Sequence, residues 1–224
     1  MKRNGFTLAE MLITIAVIGF IAVLTIPILT RVKQDRDIVA RVEVARSVLA
    51  QATQMAESQS GNLEQWDLTN MDEKEIFDTY YKPTLRVITN CFASGSDCWV
   101  ETKNFKNDSP AEDGAKYGIT GNKKNSLVLQ DGLNVTMTKV ASVDDKLGIY
   151  SSLPTSLVFM VDVNGQNSPN KMGQDVFAFV LTENGLLPAG TDNDSGNCQK
   201  SSELGDDFWD CSARVLNEGK RNYM

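Results

Sequence analysis

The chain has 224 residues, 42% of them hydrophobic, with 22 Lys and Arg against 29 Asp and Glu for a formal charge of −7. It contains no histidine, which excludes a Ser-His-Asp triad, histidine acid–base chemistry and His-ligated zinc. The acidic balance argues against nucleic-acid binding by the single chain, because phosphate contacts rest on Lys and Arg.

The first predicted element follows Met1-Lys2-Arg3-Asn4-Gly5. From Phe6 to Leu29 the only ionisable side chain is Glu10, in an apolar run of about 24 residues, enough to cross a bilayer as a helix. A charge inside such a run costs roughly 2.5–3.5 kcal/mol on insertion scales, so Glu10 is a functional candidate. Lys2 and Arg3 hold the leading end in the cytoplasm by the positive-inside rule. A secretory signal has a shorter apolar core followed by a small-residue cleavage site; here the small residue, Gly5, comes first. Cleavage at Gly5 keeps the run on the mature protein, removes two cations to give −9, and frees an ammonium at Phe6 close to Glu10. A buried carboxylate needs a positive partner, which the terminus of a neighbouring subunit can supply.

Gly5-Phe6-Thr7-Leu8-Ala9-Glu10, followed by an apolar run containing Gly19 and Pro27, resembles the processing site of type IV pilins and of type II secretion pseudopilins. The resemblance covers about the first 30 residues. It implies a leader of residues 1–5, cut by prepilin peptidase between Gly5 and Phe6 with methylation of Phe6. It also implies a transmembrane and assembly helix over 6–29, with Phe6 and Glu10 as assembly residues and Gly19 and Pro27 as points of helix flexibility. The partners implied are copies of the chain, other pilins or pseudopilins, the peptidase, an inner-membrane assembly platform and membrane lipid. The implied location is the bacterial inner membrane, crossed once with the head outside the cytoplasm.

The helical pattern continues over 30–57. Ile38, Val42, Ala45, Leu49, Ala52 and Met55 recur at three- and four-residue steps, giving an apolar stripe to pack on a head domain. Ser60-Gly61-Asn62 then stops the helix. At 1.5 Å per residue, about 52 residues make a rod of roughly 78 Å, too long to lie wholly in lipid.

The head spans 58–224, enough for one domain. Glu73 to Tyr81 is predicted as a short helix ahead of Lys82-Pro83. The cysteines fall into two local pairs, Cys91 with Cys98 and Cys198 with Cys211. Four cysteines allow three connectivities; polar loops and an oxidising compartment favour bridges within each pair. Zinc would need tighter ligand spacing. The polar, glycine-bearing stretch 105–124 is expected to be a surface loop.

Strands follow at 126–129 and 134–137, joined by the hairpin signal Asp131-Gly132. Runs at 157–162 and 176–181 are continuous and apolar, as strands buried on both faces are. Between these two runs, Asp162, Asn164 and Asp175 sit in a glycine-bearing turn. They are candidate calcium ligands by their hard oxygens; the alternative is an Asx-rich connection bonding backbone amides. The C-terminal stretch carries acidic loops, with Phe208, Trp209, Val215 and Leu216 as an apolar anchor.

The fold class expected is α+β, a long N-terminal helix packed on an antiparallel β-sheet head of the pilin-like kind. No G-x-S-x-G or P-loop motif is present, and the reading is a non-enzyme. The function the resemblance implies is a structural subunit of a type IV pilus-like filament or type II secretion pseudopilus. The alternative is a minor pilin acting as an adhesin or DNA-uptake binding module.

Overall fold

The computed structural model describes residues 7–92, 98–105, 108–111, 113–121, 125–143, 145–192, 196, 198, 208–221 and 223, except the side chains of Ile28 and Arg31. The chain divides into two compact units, Met1–Asp37 and Ile38–Met224. Helix α1, Leu8–Ser60, contributes to both. It begins two residues later than the apolar run predicts and continues three residues further, to Ser60. Gly61, at φ +86°, follows it in the left-handed region that suits a residue without a Cβ.

In the second unit the buried apolar residues of α1 are Val39, Val42, Ala45, Leu49, Ala52 and Ala56. Met55 is 48% exposed, so the apolar stripe ends on Ala56 instead. The stripe packs on a six-stranded sheet of β1 (Val87–Asn90), β2 (Ser126–Leu129), β3 (Asn134–Val140), β4 (Ser156–Asp162), β5 (Val176–Thr182) and β6 (Gly185–Pro188). The strands lie in chain order and every neighbouring pair is antiparallel. Such a meander needs only short connections between neighbours. At the predicted hairpin, Gly132 has φ +76° and the Leu129 amide donates to the Leu133 carbonyl at 2.9 Å.

Strands β4 and β5 are buried along their whole length, as their continuous apolar runs predict. Alternate residues serve two cores, because strand side chains point to opposite faces in turn. Phe159, Val161, Phe177 and Phe179 face the core that includes α1. Val158, Met160, Ala178 and Val180 face a second core with Tyr117, Ile119 and Trp209. The stretch expected to be a surface loop at 105–124 therefore needs correcting: among its described residues Ala111, Tyr117 and Ile119 are buried. Tyr117 lies 5.1 Å from Trp209 between ring centroids. Burying three apolar side chains outweighs the polar composition around them.

The helix predicted at 73–81 forms as α2 (Glu73–Ile76), running into a wider π turn over Phe77–Tyr81. Asp72 and Glu75 cap it reciprocally. The π turn delivers Phe77, Tyr80 and Tyr81 to the core. A third helix, α3 (Cys211–Glu218), ends on Gly219 at φ +63°. It docks on the sheet through two hydrogen bonds: the Ala178 amide donates to Ser212 Oγ at 3.0 Å, and the Ala213 amide to the Ala189 carbonyl at 2.9 Å. Of the three connectivities, the structure has Cys91–Cys98 and Cys198–Cys211, with Cα separations of 6.0 and 5.0 Å.

Candidate functional site

The N-terminal run folds as a helix from Leu8, and Thr7 and Glu10 close its start. The Thr7 amide and hydroxyl both donate to Glu10 Oε2 at 2.8 Å, and the Glu10 amide donates to Thr7 Oγ1 at 3.3 Å. This is the reciprocal capping box of a Thr-x-x-Glu sequence. It satisfies amides that a helix start leaves open, and nowhere is that more costly to omit than in lipid. Beyond it the side chains are apolar and uncovered: Phe20 is 68% exposed and Val23 72%. An 18-residue window of α1 reaches a mean hydropathy of 2.8. A continuous apolar surface of this kind marks a membrane or assembly contact.

Gly19 and Pro27 both lie inside α1, which continues through them. A Cβ added at Gly19 would meet nothing within 4 Å, so no packing within the described chain requires a glycine there. Pro27 has no amide to offer the preceding turn. Threonines flank it and donate to carbonyls on either side: Thr25 Oγ1 to Ile21 at 3.0 Å, Thr30 Oγ1 to Pro27 at 2.9 Å. Gly5 and Phe6, the residues expected at the processing site, lie outside the described residues.

The second cluster expected from sequence does come together. Asp162, ending β4, and Asp175, just before β5, are both buried, and two asparagines bridge them. The Asn164 amide donates to Asp162 Oδ1 at 3.1 Å, and its Nδ2 to Asp175 Oδ2 at 3.0 Å. The Asn170 amide donates to Asp175 Oδ2 at 2.8 Å, and the Lys171 amide to Asp175 Oδ1 at 2.6 Å. With its side-chain amide turned to suit its neighbours, Asn170 also donates to Asp162 Oδ2 at 2.8 Å. Burial, then the adjacent Asp175, push the Asp162 carboxyl up to about 8. Burial also raises Asp175, against the hydrogen bonds from Lys171, Asn170 and Asn164 and the charge of Arg221.

A calcium ion takes six to eight oxygen ligands. Here N–H groups already occupy oxygens of both carboxylates, and Asn164 turns its nitrogen to Asp175. No three His, Cys, Asp or Glu side chains converge among the described residues. Asn164 Oδ1 is buried without a hydrogen-bond partner.

Residues 1–26 match the family model of the prokaryotic N-terminal methylation motif. The chain carries a prepilin-type N-terminal segment. That segment marks it as a type IV pilin-like substrate of prepilin peptidase, and together with the apolar helix it points to membrane anchoring. No curated protein and no solved structure matches the chain. Within the prepilin-type segment, sequence reasoning missed the pairing of Thr7 with Glu10. The signal was present as Thr-x-x-Glu directly before an apolar run. In the Asp162 loop it missed Asn170, which nothing local distinguishes from a solvated turn residue.

Proposed function

We propose that this protein is a structural subunit that polymerises through its N-terminal helix into a filament of the type IV pilus or secretion-pseudopilus kind. Cleavage after Gly5 leaves Phe6 as a methylated amino terminus, and the mature helix anchors the subunit with its head outside the cytoplasm. The observation that carries this reading is the prepilin-type motif on an uncovered apolar run that ends at Leu29 and whose one carboxylate is Glu10. In lipid that carboxylate takes the Phe6 ammonium of the adjacent subunit and sets the register of the incoming helix. Open space at Gly19 supports close approach by a second helix, since small residues line helix contacts in membranes. The two disulfides support an oxidising compartment for the head.

Its work is mechanical. Subunits leave the membrane through an assembly platform, and growth of the filament extends a fibre or pushes cargo. The Asp162 loop has a structural part in this: its own amides close it in place of calcium, which the donor set around Asp162 and Asp175 supports.

Glu10→Ala tests the reading. The variant should be processed and should accumulate in the membrane, since losing a charge eases insertion. Its filaments should fall sharply, because breaking a buried pair costs roughly 3–5 kcal/mol. Filaments formed as efficiently as by the parent would remove Glu10 from the assembly step.

A further inference from the structure

Two cations beyond the apolar run have no assigned work. Lys33 and Arg36 are exposed, and neither has an ion-pair or hydrogen-bond partner among the described residues. Three residues apart on α1, they share one face of the helix. At 1.5 Å per residue they stand about 6 and 10 Å past Leu29, the end of the apolar run. A headgroup layer roughly 5–8 Å thick on each side of the hydrocarbon core reaches the level of Lys33 and ends just short of that of Arg36. Long basic side chains adjust their reach along the helix to meet it.

Their placement runs against the usual charge bias. The positive-inside rule weighs Lys and Arg within about 15–20 residues of a span. Lys2 and Arg3 precede the run, whereas Arg31, Lys33, Arg36, Arg41 and Arg46 follow it. After cleavage at Gly5, every nearby basic side chain lies on the head side. Orientation therefore gives no reason for cations there. The compact unit 38–224 adds a second consideration: it carries 17 Lys and Arg against 26 Asp and Glu, a formal −9. Beside an anionic membrane surface such a head is repelled.

We propose that Lys33 and Arg36 bind the headgroup phosphates of anionic phospholipids on the head-side leaflet, holding the unassembled subunit at fixed depth in the membrane. This rests on the membrane-anchored reading above. Direct continuity with the apolar run selects lipid over a neighbouring acidic head. The contact is reversible by nature, since a growing filament must strip it, and screening by salt weakens it.

The test places the full chain in nanodiscs of phosphatidylcholine alone or with about one-third phosphatidylglycerol, and measures co-retained phosphatidylglycerol by native mass spectrometry. The parent should retain phosphatidylglycerol preferentially. Lys33→Gln/Arg36→Gln should lose the preference by at least about fivefold, since each such cation contributes roughly that factor. Lys74→Gln/Lys82→Gln, which removes exposed cations paired with Asp78 in the head, should not change it. A chain that enters neither nanodisc contradicts the membrane reading itself. A chain that enters both but shows no lipid preference, or keeps it in the Lys33/Arg36 variant, overturns the proposal alone. Loss of chain-to-chain crosslinking with lipid retention unchanged also overturns it, and assigns the cations to a second copy.

Discussion

Glu10 both caps its own helix and, in the proposed filament, answers a neighbour's ammonium, so substitutions must separate the two. Glu10→Gln keeps a side chain able to close the capping box while removing the charge. Thr7→Val does the reverse, at about 0.5–2 kcal/mol of helix-start stability. Filament yield relative to membrane monomer, read by immunoblot, should fall as far in Glu10→Gln as in Glu10→Ala, while Thr7→Val should keep most of it. Normal assembly by Glu10→Gln contradicts a role for the charge. At Asp162 the folded carboxyl titrates near pH 8 and the unfolded one near 3.8. The folded state therefore holds the extra proton between these values, and its stabilising contribution, complete below about pH 4, is lost as pH rises through 8. Asp162→Asn should flatten this slope and stabilise the head at pH 8 by about 1–3 kcal/mol, each pKa unit corresponding to about 1.4. Parallel parent and variant melting profiles from pH 5 to 8 contradict it. In the same melts, about 5 mM calcium should leave the midpoint unmoved, an excess over the affinity of ordinary extracellular sites; a rise of several degrees identifies a bound metal.

Helix α3 is the element on which the C-terminal part of the head depends. Its Ser212 hydroxyl is the acceptor for the buried Ala178 amide of β5, and Cys211 at its first turn ties it to Cys198. Ser212→Ala leaves that amide without its partner, a loss of about 1–3 kcal/mol. Thermal melts should show it as a fall of roughly 2–12 °C in Tm, at about 2–4 °C per kcal/mol for a domain of this size; a shift under about 1 °C contradicts the docking role. This element was not legible in the sequence, although β4 and β5 were. Continuous runs such as Leu157–Val161 announce burial on both faces, whereas α3 offers two short apolar steps between polar residues. Val87–Asn90 and Gly185–Pro188 were equally silent: each is four residues long and pairs on one side only. Their strand character comes from the neighbour they pair with, and an edge position tolerates Pro188. The buried Tyr117 and Ile119 were hidden for a related reason, since their partner Trp209 lies some ninety positions away in the chain.

Across the whole molecule, α1 carries both the apolar run from Leu8 and the stripe on which the sheet is built. The prepilin-type segment was legible because its signal is contiguous, lying within residues 1–26. The Asp162 loop was legible only in part, because its closure depends on which atoms Asn164 and Asn170 turn inward. The proposed filament needs the subunit's apolar helix after processing, so cleavage there must trim the leader and spare the helix. Replacing Gly5 with a bulkier residue should leave an uncleaved precursor, seen as a slower band on a gel. The most direct measurement is mass spectrometry of the N-terminal peptide from protein made in its native host. The account predicts a chain beginning at N-methylated Phe6; an intact Met1 terminus on the wild-type protein contradicts it.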